Sequence, residues 1–233
     1  MIPLQGWFVT GTDTEIGKTT VSAGLLQALG RRGWRVAGYK PVAAGTEWRG
    51  GRRVNDDIER LRAAANVPLA AEEVCACLLD AACAPHLAAR EAGVTISMEA
   101  LLAGAQRLAG RVDRLIVEGV GGFLVPLDER LDTADLAVRL GLPVILVVGL
   151  RLGCLNHALL TAEAVRARGL RLAGWVGNAV DPRMPWREAN VETLRERLAR
   201  HFEAPCLGVV PPLHEPDAAA VAPHLDLSVL GPW

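Results

Sequence analysis

The chain has 233 residues, 51% of them hydrophobic, and a formal charge of −1. That is enough for one sizeable core in a single domain over 1–233, and the charge excludes a nucleic-acid surface or a polybasic membrane anchor. The longest strongly apolar run, Leu142 to Leu150, is far below the roughly 20 residues that span a bilayer; the N-terminus lacks a basic n-region and turns polar by Thr10, so a cytoplasmic protein is expected.

In chain order, the first signal is Trp7-Phe8-Val9-Thr10, an apolar run that stops at the Gly/Thr-rich turn Gly11-Thr12-Asp13-Thr14-Glu15-Ile16. Gly17-Lys18-Thr19-Thr20 then opens a helical pattern. This is the strand–loop–helix context in which Gly-Lys-Thr cradles a nucleoside triphosphate: backbone N–H groups and the helix dipole face the phosphates, Lys18 reaches the β/γ oxygens and the Thr19 hydroxyl ligates Mg²⁺. The loop is a variant, because Thr12 stands where the usual spacing has glycine and Gly11 lies one residue further out. Helix 1 runs from about Gly17 to Leu29, with Val21, Leu25 and Leu29 as one buried stripe.

Of 25 basic residues only Lys18 and Lys40 are lysines. In so arginine-rich a chain, both mark places where a compact point charge is needed and the planar arginine fork does not serve. Lys40 ends the short strand Arg35-Val36-Ala37-Gly38-Tyr39-Lys40, which Pro41 terminates. In open α/β sheets ligands collect at such carboxyl ends. A Gly-rich loop through Gly45, Gly50 and Gly51 follows. Asn55-Asp56-Asp57 then supplies either a helix N-cap or a carboxylate directed at Mg²⁺.

Residues 70–94 carry little pattern. Cys83-Ala84-Pro85-His86 reads as a loop into a helix, with His86 a capping or packing residue, and Ser97 caps a helix bearing Met98, Leu101, Leu102, Ala105 and Leu108. The five cysteines, Cys75, Cys77, Cys83, Cys154 and Cys206, lack paired Cys-x-x-Cys spacing; buried reduced thiols are expected over a thiolate metal site at Cys75, Cys77 and Cys83.

The second strong signal is the strand Asp113 to Glu118, ending in a carboxylate and running into Gly119-Val120-Gly121-Gly122. An acid at the tip of the strand beside a phosphate loop faces the metal and its waters, and the glycines let backbone approach phosphate. Leu142 to Gly149 reads as a parallel strand buried on both faces. It leads through Arg151-Leu152-Gly153-Cys154-Leu155-Asn156-His157 into a helix with Leu159, Leu160 and Val165, a further potential anion site. Leu172 to Asn178 and Cys206 to Val210 are two more strands, with a helix marked by Val191, Leu194 and Leu198 between them after Pro182 and Pro185. From Pro211 onward there is no periodicity. Six or more short strands alternating with helices give an α/β, doubly wound, mostly parallel sheet with helices on both faces, of the P-loop NTPase type.

Six blocks in order resemble the dethiobiotin synthetase family: Gly11 to Thr19, Gly38 to Val42, Val117 to Gly122, Val144 to Gly149, Leu152 to Ala158 and Ala173 to Asn178. The resemblance spans nearly the whole chain. It implies a seven-stranded parallel sheet, a homodimer, and ATP- and Mg²⁺-dependent closure of a ureido ring from 7,8-diaminononanoate and CO₂ (or bicarbonate), with no nucleic-acid or membrane partner. By matching position it makes Lys40 and Lys18 catalytic and gives Thr19, Asp57 and Glu118 to Mg²⁺. Thr14, Glu15, Ile16, Gly17, Lys18, Thr19, Thr20, Asp57, Glu118, Gly119, Val120 and Gly121 would line the nucleotide phosphates, and Asn178, Pro211, Pro212 and Leu213 the base. Thr14, Lys40 and Ala44 would meet the substrate, and Gly153, Cys154, Leu155 and Asn156 its carboxylate across the dimer interface. Three positions depart from the family pattern: Ala44 replaces a common serine, Asn190 an aromatic hydroxyl from the partner subunit, and Ala179 an acid beside the base. The main rival is a partition- or scaffold-type ATPase switch, and a second is a small-molecule kinase, which would leave phosphate on its product. The switch proteins usually carry a further lysine where this chain has Asp13, so Asp13 together with Lys40 favours the synthetase.

Overall fold

The computed structural model describes residues 3–214 and 216–230. Its first element, β1 (Gly6–Gly11), leads through the Gly/Thr turn into α1 (Lys18–Gly30). β2 (Val36–Tyr39) and β3 (Val42–Ala44) follow on either side of Lys40-Pro41. A hairpin of β4 (Glu47–Arg49) and β5 (Arg52–Val54) leads into α2 (Asp56–Ala64). Next come α3 (Ala71–Val74), β6 (Cys77–Leu79), α4 (Pro85–Ala92) and α5 (Met98–Ala109). The second half alternates strictly: β7 (Arg114–Glu118), α6 (Thr133–Leu140), β8 (Val144–Gly149), α7 (Cys154–Ala167), β9 (Leu172–Asn178), α8 (Arg187–Phe202) and β10 (Cys206–Val210), then the short α9 (Ala218–Val221).

Six strands pair in parallel in the order β10-β9-β8-β1-β7-β2, with β1 inside the sheet between β7 and β8. The resemblance implies seven strands, whereas the main sheet among the described residues has six; β6 pairs with β3 in a separate two-stranded sheet. The cause is local. Pro41 has no N–H to give a ladder, and the Lys40 N–H turns to Val74 O at 2.8 Å, so the edge is interrupted between β2 and β3.

Side chains alternate across the sheet with the strand period of two. Leu115 and Val117 of β7, and Val144, Leu146 and Val148 of β8, face a core with α5, α6, α7 and α8. Ile116, Ile145 and Val147 face the opposite core with α1, α2 and α9. The sheet is doubly wound as expected. Helix α1 departs from the single stripe: every residue from Lys18 to Leu26 is buried, because α2, α9 and the sheet enclose it. Gly24 permits this, since a Cβ there would lie 2.4 Å from Val221.

Candidate active site

The carboxyl ends of β1, β2 and β7 converge on the N-terminus of α1. Gly17 caps that helix in the left-handed region (φ 81°), where glycine carries no steric cost. A Cβ at Gly17 would lie 2.2 Å from the Asn178 Nδ2, and this amide donates to Ile16 O at 2.9 Å, so Asn178 braces the turn from β9. The displaced glycine has a physical reason: a Cβ on Gly11 would sit 2.8 Å from Ile16 Cδ1 and 3.0 Å from the Lys18 stem. Ile16 is itself a core residue, 1% exposed, leaving only its backbone for a ligand.

Four elements deliver the charged cluster. Lys40 Nζ donates to Glu118 Oε1 at 2.7 Å and to Asp57 Oδ2 in a still closer contact. The Thr19 hydroxyl oxygen lies 2.7 Å from both Asp57 Oδ1 and Glu118 Oε1. Asp57 arrives there because the Asn55 side chain caps α2, accepting from the Ile58 N–H at 3.2 Å, so the Asn55-Asp56-Asp57 run supplies both a helix cap and a carboxylate in the cluster. The sequence-derived residues Lys18, Thr19, Lys40, Asp57 and Glu118 thus meet at one point, although 100 residues separate the first from Glu118.

Burial and charge compete here. Burial pushes Lys18 down to about 8; Glu118 works against this and Lys40 adds to it. Burial alone would also lower Lys40, but Glu118 and Asp57 outweigh it and hold the ammonium charged, above its ordinary value. Asp57 would rise on burial, yet the Lys40 charge keeps it below the usual carboxylate range.

The same oxygens suit a hard cation. One Thr19 proton cannot serve two carboxylates at once, and Glu118 Oε2 is buried with no hydrogen-bond partner among the described residues. No cluster of three or more His, Cys, Asp or Glu residues among the described residues could hold a metal alone. A hydroxyl with two carboxylates is the set for Mg²⁺ that shares its shell with phosphates and water.

The remaining predicted residues lie around this centre. The Gly119–Gly122 turn faces the phosphate loop, with the Cβ position of Gly121 3.6 Å from Thr14 Oγ1. Glu15 (φ 57°), Ala44 and Asp57 line a cavity of about 420 Å³ under the β4–β5 hairpin. Val120 packs partly against the core. Thr20 points away from the charged cluster, into a separate cavity of about 540 Å³ beside Arg60. Pro211, Pro212 and Leu213 follow β10, whose Val210 O accepts from the Ala179 N–H at 3.0 Å. Gly153, Cys154, Leu155 and Asn156 form the entrance of α7, with Cys154 buried and Asn156 exposed. Asn190 donates to Trp186 O on its own helix at 2.8 Å.

The cysteines are all unpaired thiols, but only Cys75 and Cys154 are buried; Cys83 is exposed, and Cys77 and Cys206 are half-buried. Burial pushes Cys75 up to about 12, the reverse of what a thiolate ligand needs. Sequence reasoning also missed the Arg151–Asp13 ion pair, since no pattern sets Arg151 apart in this arginine-rich chain.

Fold and site define a P-loop protein built to bind a nucleoside triphosphate. A family profile described as an AAA domain matches residues 5–220. The chain is 58% identical over 223 residues to an ATP-dependent dethiobiotin synthetase of Ralstonia nicotianae, covering 96% of each. It belongs to the dethiobiotin synthetase family. Among solved structures, a ParA family ATPase from Chlorobium tepidum matches 98% of this chain and 97% of its own, with TM-score 0.55 and 13% identity. The MinD cell division protein of Aquifex aeolicus matches 96% and 88%, with TM-score 0.54 and 14% identity. At such identities the two structures establish the fold alone.

Proposed function

We propose that this chain is an ATP- and Mg²⁺-dependent dethiobiotin synthetase, closing the ureido ring of dethiobiotin from 7,8-diaminononanoate and CO₂. The observation that carries this reading is Lys40, buried between Asp57 and Glu118 beside the Thr19 hydroxyl. A second lysine at the phosphate-binding centre is what a reaction between two anions requires.

One substrate amine attacks CO₂ and loses a proton to give a carbamate. A carbamate oxygen attacks the γ-phosphorus and ADP leaves, forming a carbamic–phosphoric anhydride. The second amine then attacks the activated carbonyl, loses its proton and expels phosphate. Lys18 and Lys40 offset the repulsion between carbamate and triphosphate, the preorganised-charge contribution on which phosphoryl transfer depends. Thr19, Asp57 and Glu118 would hold Mg²⁺, which when bound adds its charge to the same task. Thr14, Glu15, Gly17 to Thr19 and the Glu118–Gly121 turn bind the phosphates, with Thr20 offering only its backbone; Asn178 and the Pro211–Leu213 turn take the base. The carboxylate of the substrate goes to the backbone at Gly153, Cys154, Leu155 and Asn156, an N-terminus that favours anions. Ala44 offers no hydroxyl to the substrate, and Ala179 no acid to the base.

Chain 1–233 works as one P-loop domain in a cytoplasmic homodimer. Exposed Leu152, Leu160 and Trp186 support an apolar contact between copies. No helix among the described residues is long and apolar enough to cross a membrane.

The direct test mixes the protein with Mg-ATP, bicarbonate and 7,8-diaminononanoate. Phosphate is expected only in the complete mixture, together with a cyclic urea detected by mass. Phosphate release indifferent to the diamine would overturn the synthetase reading in favour of an ATPase switch.

A further inference from the structure

Asp13 is held at three points. Its backbone oxygen accepts from Lys18 Nζ at 2.7 Å, its Oδ1 accepts from the Thr14 N–H at 2.8 Å, and its Oδ2 meets the Arg151 guanidinium. Arg151 lies 138 residues away, in the turn between β8 and α7. The end of β8, just before that turn, touches the phosphate loop twice more: the Thr12 N–H donates to Val147 O at 3.0 Å, and the Gly149 N–H approaches Thr12 Oγ1 at 3.4 Å. There is no slack beneath these contacts, since a Cβ on Gly149 would fall 2.5 Å from the Ile16 side chain. The conformation that places the Asp13 carbonyl under Lys18 is therefore set partly from outside the loop.

We propose that Arg151 is a positioning residue for nucleotide binding. Its ion pair with Asp13 fixes the phosphate loop in the arrangement that holds the Lys18 ammonium, and ties that loop to the entrance of α7. This rests on the synthetase reading only for its consequence in turnover; its consequence for nucleotide binding stands apart. Arg151 acts through Asp13 and does not touch the reacting atoms. Both side chains are nearly half exposed, which limits the effect to a few-fold.

The test compares wild type, Arg151→Met, Arg151→Lys, Asp13→Asn and the double variant Arg151→Met/Asp13→Asn. Asp13→Asn keeps the acceptor for the Thr14 N–H and removes only the charge that Arg151 meets. ADP affinity is measured by calorimetry without diamine, and KM and kcat are measured for ATP and diamine. Arg151→Met is expected to weaken ADP and raise KM for ATP about fivefold, with kcat and the melting temperature unchanged. Arg151→Lys should restore most of the affinity, and the double variant should be no weaker than either single one, as coupled neighbours require. Unchanged ADP affinity in Arg151→Met, additive losses in the double variant, or a rise confined to KM for the diamine would each overturn the assignment. Because ADP binding needs no diamine, a wild type that makes no cyclic urea would sink the synthetase reading while leaving this test intact.

Discussion

Lys40 does two jobs with one charge. Without ligand it neutralises Glu118, which is fully buried, and Asp57; in the proposed reaction the same ammonium would face carbamate and transferred phosphoryl. Lys40→Gln is accordingly expected to lower kcat for ring closure about 10²- to 10³-fold, the usual loss for one preorganised donor, while ADP affinity stays within about threefold. Because a buried carboxylate left alone is destabilising, the variant should be assayed with Mg²⁺ present and its melting curve recorded. Product formation at the wild-type rate would remove Lys40 from the mechanism. Lys18 gives a pH signature. Burial leaves its pKa near 8 in the empty loop. A folded value below the ordinary 10.5 means that burying the protonated amine costs stability below about pH 8, and that this cost fades as pH rises toward the unfolded value. Phosphate oxygens favour the charged form, so nucleotide binding takes up a proton wherever free Lys18 is neutral. ADP affinity should hold up to about pH 8 and be roughly tenfold weaker by about pH 9. Calorimetry in buffers of different ionisation enthalpy should show the uptake directly, and a flat affinity across this range would place the pKa of Lys18 elsewhere.

Legibility in the sequence depended on how much of an element's pattern was its own. Strands β7, β8, β9 and β10 could be read because parallel strands buried on both faces are continuous apolar runs bounded by turns. Ser97 and Asn55 could be read as caps because capping is a local hydrogen bond, made here to Ala100 and Ile58. β3 and β6 could not: each is three residues long and exists only through the other, once Pro41 has broken the β2 edge. The β4–β5 hairpin was hidden differently. Glu47-Trp48-Arg49 and Arg52-Arg53-Val54 have no apolar alternation, and the only sign was Gly50-Gly51, both in the left-handed region (φ 56° and 75°) that tight hairpin turns need. Helix α6 went unread although Asp132 and Asp135 form a reciprocal cap at its start, an acidic version of the usual box. The charged cluster was the most legible part of the site, since lysine scarcity and strand-end position are sequence properties. The outward turn of Thr20 and the Arg151–Asp13 pair were not, since both depend on which loops the fold brings together.

At the scale of the whole molecule, the site is where the halves of the chain are joined. Lys18, Thr19, Lys40, Asp57 and Glu118 come from α1, the end of β2, α2 and β7, on one side of β1. The side beyond β1, carrying β8 and β9, reaches the phosphate loop through Arg151 and Asn178. This region stores unfavourable electrostatics in the empty protein: an amine whose pKa is depressed by burial, and a carboxylate oxygen without a hydrogen-bond partner among the described residues. Sites poised this way trade stability for function, and a ligand of matching charge returns the difference. Mg-ADP binds the folded chain and not the unfolded one, so at about 100 times its Kd it should add about 2.7 kcal/mol. For a chain of this size that corresponds to a rise in Tm of about 5–10 °C. The rise should be dose-dependent, smaller with ADP alone than with Mg-ADP, and absent in Lys18→Met. That variant should itself melt no lower than wild type when unliganded at pH 7, because it deletes a buried charge. An equal response in Lys18→Met would mean that the nucleotide is held somewhere other than the Gly11–Thr20 loop. A wild type indifferent to Mg-ADP would separate the charged cluster from nucleotide binding altogether.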